Sequence, residues 1–365
     1  MSLQWKLRLI PIALMLPVLF APAQHALAYG EAVGGFPNWE EYVLLEWMNR
    51  ARSDPQADLA GCSTATCAEK ACYTTPSPPR YLNALLEHSA RFHSAHMLDN
   101  NYFSHPSQCT LFVAIGTLYP ATCSGAAACS CTQGALVGDN TQWTDPFTRM
   151  DYFGANIGSS GHSEIIAAGS AGPNATFYDS WLYEKTTDST CGDHDNGDNG
   201  HRYIILYDGF GELAGAGYLS NTGGFSGIYG SYATMDFSGD SLIAPKVPSG
   251  AHYPQQAASV DAWANWYDNA APQANKINVD GVCSDLALTR GTTTNGAWHG
   301  TLNGVGTGCH HYYFAFKDNA GKDVLFPGVG SLTIGDGGAQ CPSYSAVTPP
   351  SCSGFDRIFA AGFSL

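Results

Sequence analysis

Two histidines and one glutamate have the types and settings for chemistry in this 365-residue chain. His105 ends Phe103-Ser104-His105, His201 opens His201-Arg202-Tyr203, and Glu184 stands three residues after Trp181. Neutral imidazoles with a carboxylate suit Zn²⁺ and related divalent ions and leave positions for water or a ligand. Such an ion would acidify its water and could drive hydrolysis. The same three residues could equally form a hydrogen-bonded structural cluster. Asp193, Asp195 and Asp198 crowd the neighbouring loop. Their hard oxygens suit Ca²⁺, but an EF-hand counted from Asp193 needs Glu at its twelfth position and finds Ile204. Solvated Asx and glycine turns describe that loop better.

Other polar groups read as structural. His88, His93 and His96 share one helix, with His93 on its apolar stripe; no acid accompanies the His93/His96 pair. His310 and His311 are neighbours in a strand pattern, so they point to opposite faces. The glycine run from Gly211 to Gly217 lacks the strand-to-helix context of a nucleotide loop. No serine has the motif partners of a nucleophile.

These residues need elements to hold them. A helix is predicted over 38–52, from the Asn38/Glu41 capping-box spacing and apolar residues at Val43, Leu44, Trp47, Met48 and Ala51. A second is predicted over 82–99 and a third over 173–184. Segments 202–207, 215–219 and 229–237 are β-branched and aromatic and read as strands. Residues 61–80 and 107–150 read as long Cys-containing loops. Helices followed by strands give an α+β domain over 36–240. Pro245, Pro248 and Pro254 punctuate a linker at 241–256. Alternating segments and the Asn295-Gly296 hairpin signal then predict an all-β, immunoglobulin-like sandwich over 257–365, with Cys283 and Cys309 a plausible pair across its central hairpin.

Composition narrows the function classes. Lys and Arg number 16 against 31 acids, a formal charge of −15, and charged residues are 13% of the chain. That is about half the usual ~25%. This balance excludes a phosphate-binding footprint, so no nucleic-acid partner is expected. Residues 1–28 show a cationic start (Lys6, Arg8), an apolar run and Ala26-Leu27-Ala28, the pattern of a signal peptide cleaved near Ala28. The run is short for a membrane span, and no transmembrane anchor is expected in the mature chain. Export gives the 12 cysteines an oxidising compartment and up to six disulfides.

Read in order, Asn49-Arg50-Ala51-Arg52, Tyr102-Phe103-Ser104-His105, Gly154-Ala155-Asn156-Ile157, Ser180-Trp181-Leu182-Tyr183-Glu184 and Gly200-His201-Arg202-Tyr203 resemble the CAP superfamily of cysteine-rich secretory proteins, venom antigens and pathogenesis-related proteins. The likeness spans roughly residues 36–240. It implies a three-layer α-β-α sandwich with a cleft lined by two His and two Glu, the His pair able to hold a divalent metal. Carried over, the histidines are His105 and His201, and one acid is Glu184. The family's G-E-N-I reads Gly154-Ala155-Asn156-Ile157 here, so Ala155 removes the other acid. The resemblance favours a secreted protein that binds a small apolar ligand or an extracellular protein or polymer. The alternatives are a peptidase-like metal-dependent hydrolase using His105 and His201 with Glu184, and an adhesive role for the β-sandwich.

Overall fold

The computed structural model describes residues 29–32, 36–111, 131–133, 143–155, 161–185, 191, 200–220, 229–239 and 244–355. The expected signal peptide and the aspartates Asp193, Asp195 and Asp198 lie outside them.

Helix α1, Trp39–Ser53, starts at the expected capping box. Asn38 Oδ1 accepts from the Glu41 amide at 2.9 Å, and Glu41 Oε2 accepts from the Asn38 amide at 2.7 Å. Arg50 and Arg52 occupy its last turn, where cations suit the helix dipole. Helix α2, Ala84–Asn100, is capped by Asn83 and ends at Asn101 in the left-handed conformation, φ 58°. Between and after these helices run four strands of one sheet: β1 (Tyr81–Leu82), β2 (Ser163–Ala168), β3 (Leu213–Ser220) and β4 (Ser231–Ser238). Their order is β1-β3-β4-β2, antiparallel except for the β1/β3 pair.

Strand alternation sorts this sheet's two faces. Ala214, Ala216, Ala233, Met235, Phe237, Ile165 and Ala167 join the core that contains α1. Gly215 and Gly217 face α2: a β-carbon on either would collide with the backbone of Glu87 or Arg91. Glycine here is a close-approach device, because α2 lies almost directly on β3. Glu164, Thr234 and Asp236 alternate with the core residues and therefore belong to the α2 face.

The second half is two antiparallel sheets. One pairs β5 (Gly250–Tyr253), β6 (Ser259–Tyr267), β9 (Ala287–Gly291) and β10 (Asn295–Asn303) in the order β9-β10-β6-β5. The other runs β8 (Val282–Asp285), β7 (Ala274–Val279), β11 (His310–Lys317), β13 (Ser331–Ile334) and β14 (Tyr344–Ser345), with β12 (Asp323–Phe326) also on β11. Val260, Ala262, Ala264 and Trp266 meet Ile277, Phe314, Phe316 and Ile334 between the sheets. Trp266 stacks on Phe316 at 5.4 Å.

One core runs through both halves, and α1 is the reason. Fourteen of its residues are buried. One side packs on β3; the other packs on β5, β6 and β10. Trp47 meets Trp263 edge-on at 6.4 Å, and Arg50 lies over the Trp263 ring at 4.6 Å. Trp39 Nε1 donates to the His252 carbonyl at 2.8 Å.

The structure departs from the sequence expectations at several elements. The strand expected over 202–207 is replaced by a helix, α4 (Gly200–Leu206). Tyr203, Ile204 and Ile205 signal β, but Arg202 draws the segment inward by donating to the Leu182 and Glu184 carbonyls and pairing with Glu69, and tertiary contact overrides weak propensity. The third expected helix is one α turn, Pro173–Ala175, continued as a π-helix, Thr176–Leu182. A further helix, α3 (Pro146–Tyr152), rises from the end of the expected loop with Asp145 as its cap. The expected linker contains β5. Cys283 bonds Cys352 and Cys309 bonds Cys341, not each other. Cys283 lies on the edge strand β8, whereas Cys309 immediately precedes β11, two strands away in the same sheet. Cys62–Cys67 and Cys72–Cys191 complete four described disulfides. Among the described residues no helix is long and apolar enough to cross a membrane.

Candidate functional site

His105 sits four residues past Asn101, where α2 has ended, and is held through its backbone and its ring. Arg149, on α3 and fully buried, donates to the His105 carbonyl at 3.2 Å and to Ser107 Oγ at 3.0 Å. The other guanidinium nitrogen bonds Glu164 Oε2 and lies 3.8 Å from Asp236 Oδ1. Glu164 Oε1 accepts from His105 Nδ1 at 2.8 Å. A chain of charge thus runs from β4 through Arg149 to Glu164 on β2 and ends on the imidazole. Nδ1 carries the proton, so Nε2 keeps its lone pair. The His105 side chain is 48% exposed, which leaves Nε2 a route to solvent.

The His105 imidazole is pushed down to about 4, by burial first, then by His201 and Arg149. Glu164 does not hold the cation because Arg149 already balances its charge.

His201 opens α4. Its amide donates to Glu184 Oε2 at 2.9 Å, and its Nδ1 lies 3.1 Å from Glu184 Oε1. That second contact has the distance of an ion pair without the alignment of a hydrogen bond. Glu184 is itself positioned from behind, because Arg202 bonds its carbonyl and the Leu182 carbonyl.

Below His105 lies a second, fully buried histidine. His93 Nε2 donates to the Ser104 carbonyl at 2.8 Å, so Nδ1 must accept, and Ser107 Oγ supplies the proton at 2.9 Å. Burial holds His93 well below the ordinary imidazole value, with Arg149 adding to the effect. It is the satisfied core histidine expected from the apolar stripe. His96 Nδ1 pairs with the Tyr102 hydroxyl at 2.7 Å. His310 and His311 stand apart from this region, on β11, where His310 Nδ1 bonds Asp280 at 2.6 Å.

The structure therefore pairs His105 with Glu164 and His201 with Glu184, and it adds residues the motifs missed. Ala155 does lack a carboxylate; it is buried against Leu86, Met150 and Leu213. Glu164 is the acid that stands against His105 instead. Its signal in the sequence was an isolated charge in the apolar run Ile165-Ile166-Ala167, on a strand with both faces covered. Arg149 had no such signal, because it fell in the expected loop 107–150.

Among the described residues, no group of three or more His, Cys, Asp or Glu is arranged to hold a metal ion. The chain matches no family model, and no curated protein is significantly similar to it.

Proposed function

We propose that this chain is an exported, CAP-like binding protein: a three-layer α-β-α unit, with the second-half sheets fixed against it, that engages a small apolar ligand or an extracellular protein or polymer beside His105 and His201. The observation that carries the reading is the His105–Glu164 pair. It fixes a neutral imidazole with its Nε2 available, backed by a buried ion pair that costs free energy to maintain. Helices packed on both faces of the β1–β4 sheet support the CAP-like architecture. Four disulfides support an oxidising compartment.

His105 is held by a carboxylate through Nδ1 and His201 has one 3.1 Å from its Nδ1, as carboxylates commonly orient histidines that ligate metals. The two imidazoles supply two donors, so the remaining positions of a divalent ion such as Zn²⁺ would go to water or to the bound molecule. When bound, such an ion would supply Lewis acidity. Hard-oxygen Ca²⁺ has no comparable support here.

Binding is favoured over hydrolysis by the state of the carboxylates. Both Glu164 oxygens are taken, by His105 and Arg149, and Glu184 accepts from the His201 amide through Oε2 while Oε1 lies 3.1 Å from the His201 ring. They orient histidines and are not free to take a proton from water.

The test is metal binding by the purified, disulfide-bonded chain, read by zinc titration calorimetry. The expected result is saturable binding that is lost in both His105→Ala and His201→Ala. Unchanged stoichiometry in either variant would refute the joint site.

A further inference from the structure

A second site lies on α4 away from His201. Tyr203, Leu206 and Tyr207 follow the spacing of one helix face, and His201, two residues before Tyr203, falls on another. That face lines a cavity of about 410 Å³ together with Glu69, Tyr73 and the Cys72–Cys191 disulfide. The volume lies in the ~300–1,000 Å³ range of small-molecule sites.

Its wall is aromatic and preorganised. Tyr203 and Tyr207 stack at 4.6 Å with planes 19° apart, and Phe210 meets both edge-on. The Tyr207 ring lies over Gly209, where a β-carbon would collide with it. Tyr207 is nonetheless 47% exposed. A large aromatic ring braced from behind and open in front is a stacking surface, not core.

Its polar groups are incomplete in a specific way. Glu69 is 2% exposed and pairs with Arg202 through Oε1, yet its Oε2 is buried with no partner among the described residues. The Tyr73 hydroxyl is likewise buried without a partner among them. A buried acceptor left unpaired costs about 1–3 kcal/mol, so such atoms mark a place for a donor from outside. Neither carboxylate at the cavity brings spare charge: Glu69 is balanced by Arg202, and Asp208 accepts from Arg52 at 3.1 Å. The site thus asks for a neutral molecule with a flat apolar face and hydroxyl donors at its edge.

We propose that this cavity is a carbohydrate subsite: a sugar ring stacks on Tyr207 while its hydroxyls donate to Glu69 Oε2 and share a hydrogen bond with the Tyr73 hydroxyl. Neither His105 nor His201 lines it, and it does not depend on any metal there.

The test is saturation-transfer NMR and calorimetry on the full disulfide-bonded chain with cellotriose, chitotriose and maltotriose, and with tetramethylammonium as the cationic comparison. The expected result is saturable binding of at least one trisaccharide. Tyr207→Ala, a change at an exposed ring, should weaken it about tenfold. Tyr73→Phe, which removes only the hydroxyl, should weaken it several-fold. His105→Ala should leave it unchanged, which separates this site from the one above. Failure of all three sugars to bind, binding unaltered by both tyrosine variants, or capture of tetramethylammonium in place of sugars would overturn the proposal.

Discussion

Glu46→Gln should remove a pH dependence of stability that arises at the junction between the two halves. Glu46 lies in the middle of α1 with no exposed surface. Its Oε2 accepts from Ser249 Oγ at 2.7 Å and its Oε1 from Asn265 Nδ2 at 2.7 Å, both on the second-half side. These are neutral donors, and the nearest cation, Arg50, is committed to Asp58 at 3.2 Å. Burial therefore dominates and moves the carboxyl from 4.5 up to about 7. A raised acid holds its proton in the folded chain while the unfolded chain has lost it, so stability falls as pH rises from about 4.5 to about 7. At ~1.4 kcal/mol per pH unit the whole effect is about 3 kcal/mol. Glutamine is neutral throughout and escapes it, but its amide NH₂ cannot accept from both donors, a fixed cost of about 1 kcal/mol. The variant should be less stable than the parent at pH 4.5 and more stable at pH 8. Urea unfolding of both proteins at pH 4.5, 6 and 8, with disulfides intact, reads the difference, in which every other titrating group cancels. A difference constant across that range would show that Glu46 ionises as it does in the unfolded chain. The α1 junction would then be wet, and the single core would be wrong.

Three further outcomes follow from the same geometry. Arg149→Met should destabilise by about 3–5 kcal/mol, since it strands Glu164 in a buried site, and adding Glu164→Gln should recover part of it; a double variant no better than the single one would remove Arg149 from the charge chain. His252 is 1% exposed and is pushed down to about 4 by burial, so its contribution is lost as pH falls from 6.5 towards 4; His252→Gln should flatten that acid limb by up to about 3 kcal/mol in thermal unfolding, and an unchanged limb would contradict it. Gly217→Ala should cost at least the ~1–3 kcal/mol of an overpacked core, because the new methyl meets the α2 backbone at Arg91; a neutral effect would mean that α2 can lift off β3.

Local signals were read well where the local interaction is also the native one. The α1 capping box and the alternation on β6 and β11 appear as their residues suggest, whereas Asn295-Gly296, expected to make the hairpin turn, opens strand β10 and the chain reverses at 292–294 instead. The helix-one stripe misled in one respect. Val43, Leu44, Trp47, Met48 and Ala51 mark one apolar face and carry no sign that Glu41, Glu46, Asn49 and Arg50 are buried as well. Those polar residues are buried because each finds a partner: Glu41 with Arg91 and the Tyr218 amide, Glu46 with Ser249 and Asn265, Asn49 with the Arg80 backbone, Arg50 with Asp58. Sequence periodicity registers hydrophobicity, and a face buried through hydrogen bonds has none to register.

The same reasoning explains what was missed at the site. His105, His201 and Glu184 stand in recognisable short motifs, so they were legible. Glu164, Arg149 and Asp236 were not, since their meaning lies in a meeting of β2, α3 and β4 that spans more than 80 residues of chain. Asp236 shows what that meeting costs: burial raises its carboxyl to about 6 in spite of Arg149. Two acids against one guanidinium cannot both be fully ionised in a dry interior. Glu164 has the closer bond to Arg149 and the His105 proton besides, so it takes the charge, and Asp236 is the partner that gives it up. This ordering makes the His105 tautomer a consequence of the buried sheet. A substitution at Asp236 should therefore not reach His105: Asp236→Asn should leave the proton on Nδ1, facing Glu164, and the His105 NMR titration midpoint near 4, whereas Glu164→Gln should release the ring and shift the Nδ1 resonance. If both variants shift it alike, the charge is shared across the pair and the assignment to Glu164 fails.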